Sequence, residues 1–107
     1  KASEMNAIEG VYWTMVDSSQ AALITAGKLP PSPEHIPMML KESFVDNGML
    51  KLDYVRDIRD LYTLHRAISH GEVHSIKGAE IDIWQDKAEK FMIEMTRIID
   101  QLIESKR

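Results

Sequence analysis

The 107-residue chain has no cysteine, which excludes a disulfide framework and thiolate metal sites. That fits a reducing compartment, and a cytoplasmic location is the expectation. No apolar run approaches the roughly 20 residues needed to span a bilayer, and no stretch reads as a signal peptide. Positive charge is also in deficit: 13 Lys and Arg against 17 Asp and Glu leave a net charge of −4. Such a balance argues against a protein that coats nucleic acid by bulk attraction, while leaving room for a local cationic patch. Nothing reads as a strand, and there is no internal repeat or low-complexity segment. One domain covering residues 1–107 is expected, hiding about two-thirds of the unfolded chain's surface.

What is present is helical periodicity. From Ser3 to Ala26, the residues Met5, Ile8, Tyr12, Met15, Ser19, Ala22 and Ala26 recur at intervals of three and four. Gly27 stands where a helix-ending glycine belongs. The stretch "KLPPSP" then forbids helix, because prolines lack N–H donors and restrict their predecessors. Ser32-Pro33-Glu34 predicts a restart with a capping hydroxyl, a first-turn proline and a first-turn acid. That short helix carries Ile36, Met39, Leu40 and Phe44 and ends near Asn47-Gly48. A third helix is predicted from Leu52 to Ser69, stopped by Gly71. A fourth begins between Gly78 and Ile81 and continues to Glu104. The class is all-α, an antiparallel up-and-down bundle of four helices. Trp84, Phe91, Met95, Ile98, Tyr12, Met15, Ile58 and Leu61 are the expected core. The first residue is Lys1, and the first helix is amphipathic almost from there, so the expectation is a domain lacking a preceding helix.

The third helix divides into three stripes. Tyr54, Val55, Ile58, Leu61, Tyr62, His65 and Ile68 form its apolar face. Asp53, Asp57 and Asp60 lie on one flank; Arg56, Arg59, Arg66 and His70 lie on the other, with Thr63 between them. Two readings stand side by side. One is a solvated helix laced with ion pairs such as Asp53–Arg56 and Arg56–Asp60. The other is an anion-binding flank, favoured by the segregation of the two signs. Arg66 and His70, at i and i+4, share one face near the helix end, where a phosphate reaches both. His65, central on the apolar face, reads as a hydrogen-bonded core or interface histidine. His70 and His74 invite a metal, but Gly71 interrupts the helix between them and no third ligand is in view. Neither metal nor cofactor is expected.

Two stretches, "GVYWTMVDSSQAALITAGKLPPSPEHIPMML" and "YVRDIRDLYTLHRAISHGE", together resemble the HEPN family (higher eukaryote and prokaryote nucleotide-binding domain). The resemblance spans about Ala7 to Leu102 and rests on the order and spacing of helices and loops. It implies a helical bundle that dimerises, often encoded beside or fused to a minimal nucleotidyltransferase. It also implies binding of RNA or a nucleotide and, in many members, metal-independent RNA cleavage of toxin–antitoxin type. There an arginine and a histidine with four to six residues between them, one such pair from each of two subunits, meet. Those residue types suit the reaction: histidine shuttles the proton of a 2′-hydroxyl near neutral pH, and arginine holds the phosphate as charge develops. His70-Gly71 matches the family's His-Gly. Four intervening residues before His70 lead to His65, where arginine is expected, and Arg66 fills the next slot. Arg59 and His65 satisfy the spacing, but no glycine follows His65. Glu72 stands where some members carry a modifiable tyrosine. The resemblance thus implies His70 as general acid or base and Arg66 as phosphate clamp, with Arg59 and His65 supporting. The alternative is a non-catalytic module that docks a nucleotidyltransferase or a second copy of itself.

Overall fold

The computed structural model describes residues 2–106, with side chains from Ser3 onward. Lys1, on which the expectation of a preceding helix rests, lies outside the described residues. The protein is an all-α bundle of four helices: α1 (Ala2–Thr25), α2 (Ile36–Leu40), α3 (Leu52–Ser69) and α4 (Gly78–Ser105). No strand occurs among the described residues, and no helix among them is long and apolar enough to cross a membrane.

Directions follow from a few contacts. Lys106 Nζ donates to the Thr25 carbonyl at 2.8 Å, while Ala7, Gly10 and Thr14 line a groove with Gln85, Ala88 and Met92. Helices α1 and α4 therefore lie side by side in the same direction. Helix α3 runs against α4: the Met49 carbonyl, just before α3, accepts from Arg97 at 2.6 Å, and Asp57 pairs with Lys87 at 3.1 Å. The up-and-down alternation is carried by the three long helices, and α2 is a short extra leg beside α3.

All eight expected core residues are buried, with Met15, Leu61, Phe91, Met95 and Ile98 fully so. Helix α1 buries more than its expected seam. Val11, Val16 and Leu23 join it because α1 packs against α2, α3 and α4 at once. Ser19, buried among them, satisfies its hydroxyl by donating to the Met15 carbonyl at 2.7 Å, which removes the cost of an orphaned polar group.

Local punctuation explains the boundaries. Gly27 adopts φ +84° and the Lys28 N–H reaches back to the Leu23 carbonyl at 2.9 Å, a left-handed helix stop. The same device closes α3, where Gly71 has φ +73° and the Glu72 N–H bonds the Ala67 carbonyl at 2.9 Å.

The second helix departs from expectation. Ser32 makes no side-chain cap; its hydroxyl serves the Glu34 carboxylate, which lies below its ordinary range through Glu34's own backbone N–H first and Ser32 second. The chain instead opens as a 3-10 turn, Pro33–His35, in which the Ile36 N–H takes the Pro33 carbonyl. Pro37 has no N–H to offer that carbonyl, so the α-helical bond cannot form there. After Leu40 the helix widens into a π turn, Lys41–Val45, closed by the Asp46 N–H on the Lys41 carbonyl at 2.9 Å. This wide turn keeps Phe44 in the core, 1% exposed, before Gly48 (φ +75°) reverses the chain.

Candidate functional site

The charged flanks of α3 do not pair as an isolated helix would. Neither Asp53–Arg56 nor Arg56–Asp60 forms: the Arg56 side chain has no hydrogen bond or ion pair among the described residues. Asp57 is drawn across to Lys87 of α4, and Arg59 meets its neighbour Asp60 at 3.4 Å with both side chains well exposed. An exposed contact of that length contributes almost nothing.

Arg66 and His70 stand one turn apart at the end of α3, joined through the His70 N–H and the Arg66 carbonyl at 3.0 Å. Both side chains are exposed, and Arg66 has no side-chain partner among the described residues. His70 Nδ1 lies 3.7 Å from a Glu72 carboxylate oxygen, beyond hydrogen-bond length but close enough to influence the ring's orientation. The left-handed Gly71 brings Glu72 back over the helix end, so this carboxylate is a product of the helix stop. Chemically, the end of α3 offers an imidazole, an unpaired guanidinium and one nearby carboxylate, all open to solvent.

His65 belongs to a different assembly. Its Nε2 is 2.8 Å from Glu9 of α1, and its ring stacks on Tyr12 with centroids 3.7 Å apart and planes 5° from parallel. The second Glu9 oxygen accepts from Trp13 Nε1 at 3.0 Å, and Tyr12 meets Trp13 edge-on at 5.2 Å. The His65 side chain is only 17% exposed. It therefore latches α3 to α1 and is not presented beside His70. The Tyr12 hydroxyl is pushed above its ordinary range, by burial first and then by Tyr62, Glu9 and Glu34.

Arg59 is separate again. It lines a groove between α2 and α3, and the seven residues to Arg66 set the two about 10 Å apart along the helix. Of the four candidates, the fold thus groups Arg66 with His70 and sends Arg59 and His65 elsewhere. Glu9 and Trp13 escaped the sequence reading, which had Tyr12 as a core residue and not as a partner of His65. Glu9 and Trp13 carry a signal in their i, i+4 spacing, but nothing in it names His65, 56 residues away. His74 lies in the loop beyond Gly71 and is exposed. No group of three or more His, Asp or Glu side chains converges to hold a metal ion among the described residues.

Comparison of the chain with protein-family models, curated proteins and solved structures finds no match.

Proposed function

We propose that this chain is a HEPN-like helical domain that acts as a homodimer, binds RNA or a nucleotide, and cleaves RNA without a metal ion. The observation that carries the reading is the exposed pair Arg66 and His70 at the glycine-terminated end of α3, with no side-chain partner for the guanidinium among the described residues. In the proposed step, His70 of one subunit accepts the proton of a ribose 2′-hydroxyl. The 2′-oxygen attacks the adjacent phosphorus, the bond to the 5′-oxygen breaks, and the second subunit's imidazolium protonates that leaving oxygen. Arg66 holds the non-bridging oxygens as charge builds, a task for a planar fork of donors. The Glu72 carboxylate lies on the Nδ1 side of the ring, which leaves Nε2 for the proton transfer.

The test is release of RNA fragments by purified protein in EDTA. His70→Ala should abolish it while changing stability by no more than about 0.5 kcal/mol, as expected for an exposed position. Arg66→Lys should impair it, because a point charge cannot reproduce bidentate donation. Full cleavage by His70→Ala would sink the assignment.

A second reading, a non-catalytic module for a minimal nucleotidyltransferase or another copy of itself, draws on the outer stripe of α1. Asn6, Gly10, Trp13, Asp17, Ala21 and Ile24 recur at helical spacing, are all exposed, and carry a single charge. Trp13 and Ile24 leave 46% and 53% of their surface uncovered, two large apolar side chains on one helical stripe. A protein silent in the EDTA assay, whose neighbouring gene encodes a nucleotidyltransferase, would favour this reading over the first.

A further inference from the structure

We infer that the groove between α2 and α3 is a docking site for an acidic, amphipathic peptide segment of another protein. Pro37, Met38, Leu52 and Val55 give its lining an apolar part, beside which stand Arg56 and Arg59. Met38 is 68% exposed, a large flexible thioether lying open where two helices meet. Methionine adapts its shape to varied apolar anchors, which suits it to the wall of a peptide groove.

Charge selects the partner. In a chain of net charge −4, this groove gathers Lys41, Arg56 and Arg59 against one acid, Glu34. Lys41 is engaged by Asp46 at 3.0 Å and Arg59 only weakly by Asp60. Arg56 passes over acids at i−3, i+1 and i+4 on its own helix and remains unpaired among the described residues. Two guanidiniums three residues apart match carboxylates one turn apart on a partner helix, with forked geometry for each. The volume of about 520 Å³ holds one or two apolar anchor side chains of the kind used in helix-in-groove recognition. No aromatic side chain lines the groove, so the platform on which single-stranded bases stack is missing. That favours a peptide over RNA here. The inference stands apart from the cleavage reading, since neither Met38 nor Arg56 belongs to the pair at the end of α3.

The experiment is selection from a display library of random peptides on the purified chain, followed by anisotropy titration of the enriched peptides. The expected outcome is enrichment of sequences in which Asp or Glu alternates with Leu, Ile, Phe or Met. Arg56→Glu should weaken those peptides about tenfold or more, and Met38→Ser several-fold. Both positions are exposed, so an unchanged circular dichroism spectrum is expected for each variant. Replacing the peptide's acids with lysine should restore binding to Arg56→Glu and abolish it for the natural chain. Four results would each overturn the inference. They are no enrichment, enrichment of basic or uncharged sequences, binding indifferent to Arg56→Glu, and displacement of the peptide by a single-stranded RNA oligonucleotide.

Discussion

Replacing His65 by alanine should destabilise the fold by about 2 kcal/mol, and the parts of that figure can be separated. The bond from His65 Nε2 to Glu9 is short, at 2.8 Å, but Glu9 is half exposed. A hydrogen bond to a charged group is worth about 1.5–3 kcal/mol when sheltered, and solvent around Glu9 reduces this to about 1 kcal/mol. Stacking on Tyr12, with ring planes 5° apart, adds about 0.5–1.5 kcal/mol. For a domain of this size the sum lowers the melting temperature by about 8–15 °C. The assay is urea unfolding of the natural chain, Glu9→Ala, His65→Ala and the double variant. The cycle should return a coupling energy of about 1 kcal/mol. His65→Phe keeps a ring over Tyr12 while losing the bond, and should recover about half of the loss. A coupling energy near zero, or a phenylalanine variant as unstable as the alanine one, would refute the two-part latch.

Phe91→Ala should cost about 3–5 kcal/mol, because the ring is fully buried and meets Tyr54 edge-on at 6.4 Å; a loss below about 1 kcal/mol in urea would contradict its central place. The raised pKa of Tyr12 predicts alkaline sensitivity: the fold favours the neutral phenol, so its contribution is whole below pH 10.0, the ordinary value, and is lost as pH rises through the higher folded value. Tyr12→Phe should accordingly flatten the alkaline limb of a stability–pH curve, and an unaltered limb would count against it. Association through the outer face of α1 should appear in sedimentation at micromolar concentration and be weakened by Ile24→Glu; a chain that sediments only as a monomer would exclude it.

How much of this could be read from residues alone depends on which forces set each feature. Helix α3 is legible because its apolar period, its length and Gly71 all agree, and the structure places it at Leu52–Ser69. The interior of α2 is less legible. Ser32 looks like a cap, but its hydroxyl acts on the Glu34 carboxylate and caps no N–H, and Pro37 removes the donor that would have made the first turn α-helical. The ion pairs expected along α3 do not form: Asp60 meets its neighbour Arg59 instead of Arg56. Asp57 finds Lys87, 30 residues distant, and no local rule anticipates that choice. The pair Arg66 and His70 was visible because i and i+4 share a face on any helix. The role of His65 was visible only in part: its position predicts burial, but Glu9 and Tyr12 come from a helix whose register against α3 is set by packing.

The parallel alignment of α1 with α4 has a consequence for how the chain folds. The Thr25–Lys106 contact closes a sequence separation of 81 residues. Such contacts slow folding, because chain entropy is lost before the contacts that reward it form. During synthesis at about 5–20 residues per second, α1 emerges first and waits roughly 4–16 seconds for the helix that covers it. Its neighbours α2 and α3 arrive earlier and shield one side through Tyr12 and His65. The latch between α1 and α3 therefore guards a nascent chain as well as a finished one. Variants that weaken it should accumulate as aggregates in rapid expression more than their equilibrium stability alone would suggest.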